Sequence, residues 1–542
     1  MGGAWMRGQG CFALGESAVA LRRATVPRGL RIWAVGLLCA AGALLFASPS
    51  AHAAACPTIK DKPQQVPHVN YPGIQHLTYC YGPITIQPGQ NIIRFNSTKL
   101  FPQVPGYITR FDPDLVYTNG TVPRVDVLHL HHAVWIVNGS PQFAAGEEKS
   151  IVQMPQGFGW RNEPSTDHWL VNDMLHDLVG KSAQVYLVWR VDFVPDSSPA
   201  AASMKTVRTH WMSVAGPSPR VGVSSPIYPV FNALKGMGQD GRYTFPDQAQ
   251  GAQRDVIDTH SQTWTPDHPV TLVGTVGHLH PGGLDTNLVV KRGNQRRSLF
   301  QSNAHYYEPA GAVSWDVAMG GTPSDWRVQL QGGDQLSVHT TYNTRRASWY
   351  EVMGIMPVAV YDGTGAGGVG PFNKSLDRQG VLTHGHLAEN RVHGGNPTFL
   401  PDPRKLSAVA PPNPIGITDY KYQQGDLAGV GNAKKLPRVH AGQALTFKNH
   451  DANNLPYTFH SMTDCEAPCN RSTGIAYPIA NGPRNFDSGQ LGFNRPPFNT
   501  FGQNAPAVGT DTWKTPKNLK PGTYTYFCRV HPFMRGAFRV VK

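Results

Sequence analysis

Glycine and proline punctuate this chain densely, and that punctuation sets what it can become. The 57 Gly and 46 Pro together take roughly one position in five of the 542 residues. Proline removes a backbone donor and clashes within a helix, and glycine costs about 1 kcal/mol there, so long helices have almost nowhere to sit. Between the breaks lie short runs rich in β-branched and aromatic residues: 92–95, 125–137, 185–193, 270–276, 287–290, 326–342 and 350–361. Such runs, bounded by turn residues, read as strands. The chain is therefore expected to be all-β, with residues 54 to about 365 forming two β-sandwiches of about 150 residues each. Its 40% apolar and 15% charged residues exclude a disordered or fibrous chain.

The first 53 residues differ. Arg22, Arg23, Arg28 and Arg31 lead into an apolar block at 32–47, followed by Ser48-Pro49-Ser50 and the small-residue site Ala51-His52-Ala53. This is the pattern of a secretory signal peptide cut after Ala53. The block is short for a membrane span and nothing later approaches one. The mature chain is expected to be exported to a periplasmic, extracellular or cell-surface location, with no stable membrane span. Arg22-Arg23 leaves both the general and the twin-arginine export routes open. Loss of five Arg and one Glu with the signal takes the formal charge from +13 to +9. The remaining Lys and Arg are scattered and accompany no stacking motif, so nucleic acid is not an expected partner.

Cys11 and Cys39 leave with the signal, and Cys56, Cys80, Cys465, Cys469 and Cys528 remain. In an oxidising compartment the simple partition is two pairs and a remainder. Cys56–Cys80 would pin the N-terminus and Cys465–Cys469 would close a small loop. Cys56 is alternatively a lipid-attachment site after Ala53-Ala54-Ala55. Cys528 is left over, and an unpaired exported thiol is a liability unless something occupies it.

Its neighbours name the occupant. The turn Pro521-Gly522 and an alternating strand lead into Cys528-Arg529-Val530-His531-Pro532-Phe533-Met534, and upstream Tyr457-Thr458-Phe459-His460 ends another strand. A thiolate and two imidazoles with a weak thioether suit copper in both oxidation states, and zinc fits the same donors without redox chemistry. This loop resembles that of the blue-copper cupredoxins (amicyanin- and plastocyanin-like), with His460 where that family places its first ligand. The resemblance covers about the last 105 residues. It implies a Greek-key cupredoxin sandwich over 436–542, a type 1 copper on His460, Cys528, His531 and Met534, and electron transfer with a redox partner protein or small reductant. The Asp464–Cys469 insertion and the long stretch 472–512 depart from the family pattern and bear on the partner surface.

Histidines cluster further upstream: His129, His131 and His132 in one strand, His176 in another, then His278 and His280 around Leu279. Side chains alternate along a strand, so H-x-H puts two imidazoles on one face, whereas adjacent His131-His132 needs a bulge or strand end to converge. The order of motifs resembles the copper type II monooxygenases, the peptidylglycine and dopamine hydroxylase family. That resemblance implies two jelly-roll-like sandwiches, a first copper on His131, His132 and His176, and a second on His278, His280 and Met353. Met356 and His339 compete for the methionine's place. The family's cysteines are absent between Cys80 and Cys465, and Val276 stands where the peptide-hydroxylating branch carries an arginine, which argues against a glycine-extended peptide substrate.

The expected organisation is a signal over 1–53, sandwiches over 54–210 and 211–365, a Gly/Pro-rich linker over 366–435, and the cupredoxin domain. The linker contains His384, His386, Glu389 and His393, a metal site or a solvated loop. The resulting expectation is an exported copper redox protein, with copper as cofactor, whose blue-copper domain serves a monooxygenase-like module. The competing reading is a non-enzymatic copper carrier or copper-holding protein with scaffold N-terminal domains, and no catalytic residue is assigned. A multicopper oxidase is disfavoured because Phe527 and Arg529, not histidines, flank Cys528.

Overall fold

The computed structural model describes residues 56–60, 66–87, 93–125, 127–177, 181–214, 231–249, 263–307, 311–373, 376–383, 400–454, 460–467, 477, 485–489, 491–492, 510–529 and 531–542. The signal segment, Cys469 and the histidines of 384–393 lie outside the described residues. Apart from short 3-10 turns and the helix Asp451–Asn454, the described elements are strands, and the protein is an all-β assembly of sandwiches. No described helix is long and apolar enough to cross a membrane.

Among the described residues, three large buried apolar cores organise the strands. The first is built on Phe111, Trp135, Phe143, Trp189 and Phe193. It lies between the sheet that carries Gln75–Ile86, Ala183–Pro195, Gly106–Tyr117 and Phe158–Asn162 and the four-stranded sheet Ile93–Thr98, Trp169–Asp177, Leu128–Val137, Ser140–Ala145. The second core gathers Phe231, Tyr243, Phe300, Trp326 and Tyr342. Its outer sheet contains Gln335–Asn343, Gly283–Arg292 and Gln295–Tyr306. One sheet runs through both units. Lys205–Ser213 pairs in parallel with Phe158–Asn162 on one side and antiparallel with Gly354–Tyr361 on the other. Backbone hydrogen bonding therefore fixes the two sandwiches edge to edge and sets their histidine strands against each other.

The strand Leu128–Val137 has a register shift between Leu130 and His132, so of the two devices that could make adjacent histidines converge, a bulge or a strand end, the bulge is present at His131. Bulges re-aim side chains by inserting an unpaired residue.

The third core contains Ile415, Ile417, Tyr422, Phe447, Tyr526 and Phe538. It lies between a five-stranded sheet ending on Arg535–Val541, Gly522–Phe527 and Thr463–Cys465 and a four-stranded sheet of Lys421–Tyr422, Ile415–Thr418, Thr446–Asn449 and Thr512–Lys514. Residues 400–435, placed in the expected linker, supply Ala408–Val409, Ile415–Thr418 and Lys421–Tyr422 to these sheets. Their Gly/Pro-rich surroundings read as linker, but Ile415 and Ile417 alternate onto the buried face and are fully covered. This sandwich touches the other two: Phe533 packs on Val125, Tyr477 meets Trp349 edge to face, and the Tyr477 N–H donates to Val313 O at 2.6 Å.

Cys56 and Cys80 form a disulfide with Cα atoms 5.4 Å apart, which leaves no Cys56 thiol for a lipid. Cys465 is also disulfide-bonded. Cys528 is free and buried.

Candidate metal centre

Strand Gly522–Phe527 delivers Cys528 into the third core, and a tight loop returns the chain to Arg535–Val541. The Met534 N–H donates to His531 O at 2.8 Å and the Cys528 N–H donates to Met534 O at 3.1 Å, closing the Cys-x2-His-x2-Met loop on itself. His460 arrives from the facing chain and is bridged to Leu491. Cys528 Sγ lies 3.9 Å from His460 Nδ1 and 3.6 Å from His531 Nδ1, and the two nitrogens are 3.2 Å apart. A triangle with those edges has a point about 2.1 Å from all three corners, within the usual range of metal–imidazole bonds and a little short of metal–thiolate ones. Met534 is buried in the same core as Cys528. The donor set and its dimensions fit one soft or borderline metal ion.

The surrounding groups prepare these donors. His460 Nε2 lies 2.9 Å from Asp451 Oδ2, so its N–H donates there and Nδ1 is the nitrogen turned to the centre. Asp451 also accepts the Asp419 N–H at 2.8 Å and the Tyr420 N–H at 3.1 Å. Those two residues form the turn between Ile415–Thr418 and Lys421–Tyr422, with φ of 50° and 58°. Both are left-handed, a conformation L-residues other than Asn and Asp seldom take. The turn holds the Tyr420 ring 5.3 Å from the His460 ring and 5.1 Å from that of His531. Cys528 Sγ accepts the Ser461 N–H at 3.3 Å and the His531 N–H at 3.4 Å. The Ser461 hydroxyl accepts the Arg529 N–H at 2.9 Å and locks the two ligand segments together.

Burial alone would raise the Cys528 thiol, but hydrogen bonds and charge from His460 and His531 hold it well below its ordinary value. Burial would lower His460, yet Asp451 and Cys528 push it up to about 8. The cysteine is thus poised as a thiolate between two imidazoles.

A second imidazole cluster sits where the first two sandwiches meet. His131 Nδ1 and His132 Nδ1 are 3.1 Å apart, and both residues line one cavity with His278, His280, Met353 and Glu148. The register His278↔Ile355, Leu279↔Gly354 carries Met353 alongside His280. The Tyr342 hydroxyl secures both: it donates to Met353 O at 2.6 Å and accepts the His280 and Met353 N–H groups at 3.0 and 3.2 Å. His278 Nδ1 lies 2.9 Å from Glu148 Oε1. His176 pairs instead with His129, Nδ1 to Nε2 at 3.0 Å, and its Nε2 is buried without a hydrogen-bond partner among the described residues. So the pairs expected in two separate sites, His131-His132 and His278/His280, share one cavity with Met353, and His176 stands beside it. Met356 is buried in the second core, and His339 points at Asp247, 2.8 Å away.

Burial is the first cause holding these imidazoles neutral: His129 and His132 fall to about 3, and His131 and His176 lie well below their ordinary value. Neutral imidazole is the metal-binding form. The loop that carries His531 reaches the first sandwich, where Phe533 packs on Val125. Trp315 sits among the histidines of this second cluster, its ring 5.6 Å from that of His129, 4.7 Å from His131, 6.2 Å from His176 and 4.8 Å from His280. Asp451, Tyr420, Ser461, Glu148 and Trp315 were not expected from sequence.

No family profile matches the chain, and no curated protein is significantly similar to it. Among solved structures it is similar to the Cu-containing nitrite reductase NirK from Thermus scotoductus SA-01, at 13% identity and a TM-score of 0.15, over 52% of this chain and 59% of that one. It is also similar to the PBCV-1 virus capsid, and to PBCV-1 VP54 fitted into the virophage Sputnik, each at 8% identity and a TM-score of 0.22 over 55% of this chain and 95% of the other. Likenesses this slight carry no weight for fold or chemistry, which rest on the geometry above.

Proposed function

We propose that the protein is an exported copper redox protein. Its third sandwich holds a type 1 copper on His460, Cys528, His531 and Met534, and it exchanges electrons with a redox partner or small reductant. The observation that carries this is the buried triangle of one sulfur and two Nδ1 atoms with edges of 3.2–3.9 Å. Bound copper would supply one-electron chemistry between Cu(I) and Cu(II). The chain's own residues do the rest. Asp451 orients His460, the Ser461 and His531 N–H groups spread the thiolate charge, and the apolar core excludes water. The Cys56–Cys80 disulfide fits an oxidising compartment.

A second reading extends the first: the cavity lined by His131, His132, His278, His280 and Met353 is a further copper station served by the type 1 centre, as in a fused monooxygenase-like module. What favours it over a scaffold role is the packing of Phe533, two residues after His531, on Val125 of the first sandwich. Metal analysis with visible and spin-resonance spectra tests both. The expected result is an intense visible band lost in Cys528→Ala, and a separate type 2 signal lost in His131→Ala and His278→Ala. A protein that stays colourless after cupric loading overturns the first reading. One copper per chain, unchanged in the histidine variants, overturns the second alone.

A further inference from the structure

We propose that His68, His76 and Asp192 form a separate binding site on the first sandwich for a divalent late first-row metal ion, zinc in the first instance. Three independent features converge there. His76 lies on Gln75–Ile86 directly opposite Asp192 on Ala183–Pro195, so both side chains leave the same face of the sheet. His68 comes from the segment preceding that strand and reaches the same carboxylate. His68 Nδ1 is 2.7 Å from Asp192 Oδ2 and His76 Nδ1 is 2.7 Å from Oδ1, with the rings 5.4 Å apart and nearly perpendicular at 87°.

The burial pattern is that of a ligand site open on one side. The Asp192 side chain is 3% exposed, whereas those of His68 and His76 are 45% and 58% exposed. The carboxylate forms a fixed anionic floor and the imidazoles form walls open to water. Arg110, paired with Asp192 across the next strand, donates to Val66 O at 3.2 Å. That bond anchors the backbone two residues before His68, so this imidazole is held over the floor. All three donor atoms lie within 4.8 Å of one another.

A tetrahedral ion bound at about 2.0–2.1 Å needs its donors roughly 3.3 Å apart. The present nitrogen–oxygen distances of 2.7 Å therefore have to open by about 0.6 Å. Exposed imidazoles can do this by small side-chain rotations, while Asp192 stays in place. On binding, each imidazole proton now shared with the carboxylate moves from Nδ1 to the outward Nε2, and water fills the remaining position. Two imidazoles and one carboxylate select such ions over calcium or magnesium, which prefer all-oxygen shells.

The site is independent of the His–Cys–His centre, and its test keeps them apart. Zinc titration of the full mature protein by calorimetry, and of His68→Gln and His76→Gln, reads the number of equivalents and their affinity. Both residues are exposed, so the variants should fold, which an unchanged near-ultraviolet circular dichroism spectrum checks. One equivalent is expected to vanish or weaken at least tenfold in each variant. The visible spectrum of the copper-loaded protein should be unaffected. A cobalt titration should show the same equivalent without a thiolate charge-transfer band. If the double variant takes up zinc in the same number and affinity as wild type, the two histidines are only ion-pair partners of Asp192 and the proposal is overturned.

Discussion

Asp451→Asn is the most informative single change, because it removes one charge and moves almost no atoms. The buried carboxylate accepts from His460 Nε2 and from the Asp419 and Tyr420 N–H groups. Burial would raise its pKa, but its hydrogen bond to His460 and the His460 charge hold it below the ordinary value. An asparagine can offer only one oxygen, so at least one of those three donors meets an NH2 group. The loss of a charge-assisted bond and an unpaired buried donor together predict destabilisation of about 2–4 kcal/mol.

The effect on the metal follows from the same contact. A carboxylate behind a ligating imidazole makes it a better donor, and removing such a partner typically weakens metal binding about 10–100-fold. The negative charge favours the more highly charged cupric state. If cuprous affinity is spared, a 10–100-fold loss of Cu(II) affinity raises the reduction potential by about 60–120 mV, at 59 mV per tenfold for one electron. Potentiometric titration of the copper-loaded protein and Cu(II) competition with a chelator measure the two quantities. A potential that moves by no more than about 20 mV, with unchanged Cu(II) affinity, would falsify the role given to Asp451, whatever happens to stability.

Other expectations are simpler. Met534→Leu conserves volume, so stability should change by less than about 1.5 kcal/mol, while loss of the thioether should raise the potential by on the order of 60 mV. The pair of measurements separates ligand from packing residue. His210 stacks on Trp264 at 4.2 Å, and burial followed by the Arg208 charge lowers it to about 4 from 6.5. Its folded value lies below its unfolded one, so acid favours unfolding. The stability of neutral His210 is complete above about pH 6.5 and lost progressively towards pH 4, by at most about 3 kcal/mol. His210→Phe should flatten that part of the stability–pH curve measured in urea, and an unchanged slope would assign it to other groups. In Gly277→Ala the new methyl would press on Thr286 Oγ1 and lie 2.6 Å from Ser302 Cβ. A loss of about 1–3 kcal/mol is expected in urea unfolding, and full stability would mean that the His278 strand is loosely held.

How much of this was legible in the sequence depended on how local each feature is. Strand content could be read because Gly and Pro act on their immediate neighbours. Cys528, His531 and Met534 could be read together because a single loop carries them, and strand alternation alone demands a bulge or a strand end at His131-His132, of which the structure has the bulge. Alternation says which side chains share a face, but not which face lies opposite. The meeting of His131-His132 with His278 and His280 across one cavity depends on the Lys205–Ser213 strand joining two sheets, and nothing in the histidine motifs encodes that. The span 400–435 failed for the reverse reason: local composition suggested a linker, while two isoleucines on one face belonged to a distant core.

The turn at Asp419-Tyr420 shows why the least legible residues can matter most at such a centre. A two-residue hairpin turn with both φ positive is ordinarily filled by Asn-Gly, because left-handed backbone costs most L-residues about 1–2 kcal/mol. Here Tyr420 takes that conformation at φ 58°, and its ring lies against those of both His460 and His531. Asp451 captures the turn's N–H groups with the same carboxylate that orients His460. Local preference and tertiary demand therefore conflict at one residue, and the contact that resolves the conflict is also the one that aims His460. Strained backbone persists where its surroundings over-determine it, which is common at functional sites. A sequence reading that follows local rules passes over such a residue because the gain offsetting its strain lies in another part of the chain.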